Sequence, residues 1–260
     1  MTTATPSATP SLRRLSPQAA VLLLVAAVAW LATIGRAATI QGMTGTMGLG
    51  LVGFVGMWAL MMAAMMLPSV APVASMYQRS VRSHRALRLA GFTTGYLLAW
   101  AGAGVPAYLL TVVVAGLVDG HPARVTAAAV AVFASCGVYQ LTPLKSRCLR
   151  HCRSPLSLLL HYGAYRGRLR DLRAGTHHGA YCLGCCWSLM ALFVVLGVMN
   201  LAAMVVLAVV VLVEKLWVRG EVLARVVGVA GLALAVNVIW LPALAPGLHA
   251  TNQMVRMAGS

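Results

Sequence analysis

Long apolar runs separated by short basic stretches dominate the chain. Runs of about seventeen residues or more fall near 18–34, 51–77, 89–115, 124–142, 186–213 and 222–241. At about 1.5 Å per residue, a helix of that length crosses a hydrocarbon core roughly 30 Å thick. None of the runs breaks into the segments of about ten alternating apolar and polar residues that mark a barrel strand. The pattern therefore predicts an all-α, polytopic membrane bundle of about six transmembrane helices. No repeat is visible, so residues 18–241 read as one domain, with tails at 1–17 and 242–260 and a Cys-rich loop at 143–181. Residues 1–12, rich in Thr, Ser, Ala and Pro, predict a disordered tail.

Composition excludes a soluble globular chain: 60% of residues are hydrophobic and 9% charged, too few to clothe a water-facing surface. The net charge of +16 raises nucleic acid as a partner, but its distribution points to lipid instead. Arg13 and Arg14 precede the first run. Arg79, Arg82, Arg85 and Arg88 follow the second, and Lys145, Arg147, Arg150, Arg153, Arg166, Arg168, Arg170 and Arg173 follow the fourth. With Arg256 these fall on one side, leaving Arg36, Arg124, Lys215, Arg219 and Arg225 on the other. This positive-inside pattern predicts a multi-pass protein of the cell inner (cytoplasmic) membrane with both termini cytoplasmic, basic loops on anionic headgroups, and no nucleic-acid partner. Two arginines before an apolar run also fit a signal peptide, but no small-x-small cleavage site follows directly, which favours an uncleaved helix.

The four acids, Asp119, Asp171, Glu214 and Glu221, fall in loops or at run ends. A proton-coupled carrier usually keeps a carboxylate inside the membrane, and hard cations need oxygen ligands, so both classes are disfavoured. Of the polar residues in or near the runs, Gln140, Asn200 and Asn237, the last is expected to hydrogen-bond between helices.

Sulfur takes the place of the acids. Cys148 and Cys152 lie four apart, on one face of any helical extension of the fourth run. Cys182, Cys185 and Cys186 open the fifth run, and His151, His161, His177 and His178 share the region. Cys136 reads as packing. A helix N-terminus and a basic loop both favour thiolates, and a cytoplasmic position favours metal over disulfide. A zinc clip between helices, a redox dithiol and unrelated thiols remain as alternatives. Met57, Met61 and Met65 recur every four residues in the second run, with Met62 and Met66 beside them. Thioethers suit Cu(I), although methionine also fills helix interfaces. Pro68 and Pro72 are expected to interrupt that helix.

The stretches Trp58 to Pro72 (WALMMAAMMLPSVAP), Tyr139 to Pro155 (YQLTPLKSRCLRHCRSP) and His178 to Asn200 (HGAYCLGCCWSLMALFVVLGVMN), followed by Glu214-Lys215, resemble the bacterial family of predicted metal-binding integral membrane proteins, a domain of unknown function. The resemblance covers about residues 50–240. It implies a polytopic bundle and a metal role for Cys148, Cys152, Cys182, Cys185 and Cys186. The expectation is a protein that binds a soft metal, copper first and zinc next, with His178 auxiliary and Met57, Met61, Met62, Met65 and Met66 as a weaker site. No G-x4-G-K-[ST] motif and no Asp-Lys-Thr-Gly sequence supplies ATP chemistry, so movement of the ion needs a partner, a metallochaperone or another membrane subunit. No residue is read as catalytic. The alternatives are a thiol–disulfide oxidoreductase using Cys182 and Cys185, and a metal-clipped subunit or assembly factor of a larger complex.

Overall fold

Apolar runs bounded by proline, glycine and capping residues form helices along almost the whole described chain. The computed structural model describes residues 17–39, 45–81, 84–118, 121–154, 162 and 165–248. The tail at 1–12, Arg13, Arg14, Arg82, Asp119, His161 and Arg256 lie outside the described residues. In chain order the helices are α1 (Pro17–Thr39), α2 (Leu51–Arg79), α3 (Arg85–Val118), α4 (Pro122–Leu141), α5 (Pro143–Arg153), α6 (Arg170–Leu196), α7 (Leu201–Leu216) and α8 (Gly220–Asn237), followed by a 3-10 turn at Pro242–Leu244. The fold is all-helical, with no strand among the described residues. Six of the helices, α1, α2, α3, α4, α6 and α8, are long and apolar enough to cross a membrane. Their outer faces carry exposed Leu24, Leu31, Leu109, Val113 and Val229.

Local chemistry sets the boundaries that hydropathy missed. Thr142 ends α4 and caps α5: its side chain accepts the Lys145 amide at 3.3 Å, while Pro143 has no amide to lose at the first turn. Much of the expected 143–181 loop is thus helical. The fifth run, expected at 186–213, is two helices. Gly197, at φ 95°, ends α6, and Asn200 restarts the chain by accepting the Ala203 amide at 3.1 Å. Helix α6 also begins well before the cysteines, which therefore lie mid-helix, away from the terminal partial charge invoked from the sequence. Pro68 and Pro72 do not interrupt α2, which runs through both. Asn237, expected to bond between helices, instead donates to the Ala233 carbonyl of its own helix, with no bond to another helix among the described residues.

Glycine sets how closely the helices approach. Helices α3 and α6 run parallel, with Gly91 and Gly95 against Asp171, Leu172 and Thr176, and Gly175 and Gly179 against Phe92, Tyr96 and Ala99. A Cβ on Gly95 would lie 2.1 Å from the Leu172 carbonyl oxygen, so the backbones touch as in small-xxx-small membrane pairs. Helices α4 and α8 meet likewise through Gly137, Gly228 and Gly231. Helix α2 packs between α1 and α3 and also meets α7, which returns along the bundle.

That return changes the connectivity. Arg153 of α5 donates to the carbonyls of Trp217 and Val218, and Gly220 abuts Glu214, so the α7–α8 turn lies at the α5 end. Gly247 packs on Gly197 at the opposite end, whereas Pro17 and Gln18 lie near Gln78 and Ala86. The described chain thus begins and ends at opposite ends of the bundle. Charge sorting over six runs had placed the termini together, because it counted α6 and α7 as one pass.

The glycine seam yields a direct test. Gly175→Leu forces a side chain into the Phe92 carbonyl and is expected to cost more than the about 1–3 kcal/mol of ordinary overpacking. Gly102→Ala, which meets nothing within 4 Å, should leave thermal unfolding in detergent unchanged or slightly raised.

Candidate metal centre

Positions 178, 182 and 186 of α6 form one stripe, and 177, 181 and 185 the next, because residues four apart share a helical face. Both stripes turn toward α3 and α5. The sulfurs of Cys182, Cys185 and Cys186 all lie within 4.8 Å of one another, and all three residues are buried. Cys185 Sγ is 3.3 Å from Cys186 Sγ and 3.8 Å from Cys152 Sγ. Thiolates about 2.3 Å from a shared ion stand roughly 4 Å apart, so this donor set fits a thiophilic metal with little movement.

Helix α5 brings Cys152 inward. Cys148, on the same face, meets α6 at Gly184, between Cys182 and Cys185: a Cβ there would sit 2.9 Å from its sulfur. Burial pushes the Cys148 thiol up, against the opposing pull of Lys145. His178 is buried between the rings of Phe92 and Tyr96, one turn before Cys182, and its Nδ1 has no hydrogen-bond partner among the described residues. A buried nitrogen without a partner is uncommon and suits a position awaiting a ligand. Met57, Met61, Met62, Met65 and Met66 are all buried in the core shared with the cysteines.

The charges around the thiols escaped the sequence reading. Lys145, counted there as a headgroup-facing cation, is fully buried and donates to the Cys185 carbonyl at 2.5 Å and to Glu214 Oε2 at 2.7 Å. Burial works most strongly against this ammonium, but Glu214, Cys186 and Cys185 together outweigh it and hold Lys145 above its ordinary range. Gln140 donates to Glu214 Oε1 at 3.0 Å. Glu214, assigned to a helix end, is buried inside the bundle after all. On the other flank Lys215 Nζ lies 3.1 Å from Ser69 Oγ and 2.8 Å from Cys182 Sγ, which Tyr96 OH also approaches at 3.0 Å. A buried ammonium needs an anionic neighbour, and the group in reach is a sulfur that can be a thiolate. One signal was present: Glu214-Lys215 closes an apolar run with adjacent opposite charges.

Breaking the Lys145–Glu214 pair by Glu214→Leu or Lys145→Met alone strands a buried charge and should cost about 3–5 kcal/mol. The double variant should recover most of that loss. Thermal unfolding of the three variants in detergent measures the cycle.

No curated protein and no solved structure matches the chain. One family model does, over residues 55–238, and its description is copper chaperone. The match takes in α2 through α8 and every residue of the sulfur cluster and its charged surround. It agrees with the metal-binding side of the resemblance read from the sequence and covers nearly the same residues. The chain belongs to the PpoB2 copper chaperone family.

Proposed function

We propose that this protein binds a copper(I) ion at Cys182, Cys185 and Cys186, with Cys152 as a further sulfur, and passes it to a partner. The observation that carries the reading is the convergence of three buried sulfurs within 4.8 Å in a chain of the copper chaperone family. An all-sulfur set of low coordination number suits Cu(I), whereas the oxygen ligands of hard cations are missing from the cluster. His178 is placed to join as an auxiliary ligand. The methionines of α2 would offer a weaker, neutral path through the bundle.

The same reading places the protein in a cytoplasmic membrane, with the α5 end toward the cytoplasm. Arg79, Arg85, Arg88, Arg147, Arg150, Arg153 and Arg173 gather at that end, and the return of α7 adds exposed Arg219 and Arg225 to it. Trp187 and Trp217 are half exposed beside the cysteine level, as aromatic residues at a membrane–water boundary are. The metal site would then lie at the inner interface, within reach of a soluble metallochaperone or another membrane subunit. The N-terminal end would be cytoplasmic and residues around 247 external.

Metal content and copper tolerance test the proposal. Cys182→Ser with Cys185→Ser is expected to abolish tightly bound copper in the purified protein. Replacing Met61, Met62, Met65 and Met66 with leucine, at under about 1.5 kcal/mol each, should preserve folding and bound copper while reducing copper handling in cells. Leucine variants that match the parent in cells would return the stripe to packing, and cysteine variants that keep their copper would remove the site.

A further inference from the structure

Two partly buried histidines lie on the helices that carry the buried sulfurs. His151, in the last turn of α5, stacks on Tyr181 at 3.7 Å between ring centroids. His177, on α6, lies 6.1 Å from His151 and 5.0 Å from Tyr181. Tyr162 OH is 3.5 Å from His177 Nδ1. An imidazole nitrogen sits about 2.0–2.1 Å from a bound metal, so two rings sharing one ion have centroids about 5–6 Å apart. The observed separation is at the edge of that range.

Position adds direction. His151 is followed by Cys152, whose sulfur is 3.8 Å from that of Cys185. His177, Tyr181 and Cys185 occupy one stripe of α6, so this stripe runs from a partly exposed imidazole to a fully buried thiol. Ligand softness rises along the same line, from nitrogen to sulfur, and a soft cation moves downhill by ligand exchange. No oxidation or reduction is involved.

We propose that His151 and His177 form a second, transient site for a soft monovalent cation, a port that captures the ion and hands it to Cys152 and on to the cluster. The port rests on the chaperone reading, and it adds the route by which the ion reaches the thiols. Tyr181 and Tyr162 act as positioning residues that hold the two rings.

The test is the rate and extent of anaerobic copper(I) loading of the full chain in detergent, from a bicinchoninate complex. His151→Phe with His177→Phe keeps aromatic rings at both positions. This variant is expected to reach the parent's copper content but about ten-fold or more slowly, the scale on which groups outside the inner ligand set act. His151→Cys with His177→Met, which restores soft donors, should recover the rate. A Phe variant that loads at the parent's rate overturns the port. So does one that loses copper at equilibrium, because the histidines then belong to the tight site. A parent that takes up no copper overturns the chaperone reading and the port with it, and is recognised without any variant.

Discussion

Charge buried among helices has to be answered within reach of the side chain that carries it, and two lysines impose that condition here. Lys145 and Lys215 extend into the bundle from α5 and α7 and stop on opposite flanks of the cysteine stripes of α6. Lys145 is answered by Glu214. Lys215 has sulfur and a hydroxyl within reach. Adjacent residues on the last turn of α7 thus project opposite charges to the two sides of one helix. This arrangement needs α7 to return to the level of the cysteines, α5 to bend back along α6 after Thr142, and α3 to lie close enough for Tyr96 to reach Cys182. The break at Gly197, the cap at Asn200 and the glycine seam between α3 and α6 supply those conditions.

For metal binding, the consequence is that two ammonium groups are built into the surround of the thiols. A cluster of thiolates repels itself, and a cation fixed at 2.8 Å from one sulfur offsets part of that repulsion. The Lys145 ammonium grips the Cys185 carbonyl, which fixes the stretch of backbone that carries two of the three sulfurs. Removing either lysine would therefore alter the geometry and the charge of the site without touching a ligand.

Hydropathy alone made the long helices legible, because a run of Leu, Val, Ala and Met does not depend on its neighbours. The junction at 197–200 stayed hidden because Gly197, Val198 and Met199 keep the local hydropathy high, and only Asn200 hinted at a cap. The four-residue spacing of Cys148 and Cys152 rightly implied a shared face. Spacing could not foretell that Cys152 reaches the cluster while Cys148 stops against Gly184. The lysines were illegible for a different reason: a count of basic residues treats a lysine facing lipid headgroups and one buried against a thiol alike. His178 was legible as a position one turn from Cys182, but its unpartnered nitrogen belongs to the packing of Phe92 and Tyr96 around it.

Copper, on the proposed function, is held at one sulfur-rich centre in α6. Copper-edge X-ray absorption of the anaerobically loaded full chain tests it most directly, because the technique reports the oxidation state and the identity of the neighbouring atoms together. The account predicts Cu(I) surrounded predominantly by sulfur, with the sulfur count falling in Cys185→Ser. A first shell dominated by nitrogen or oxygen, or one unchanged by that substitution, would contradict it.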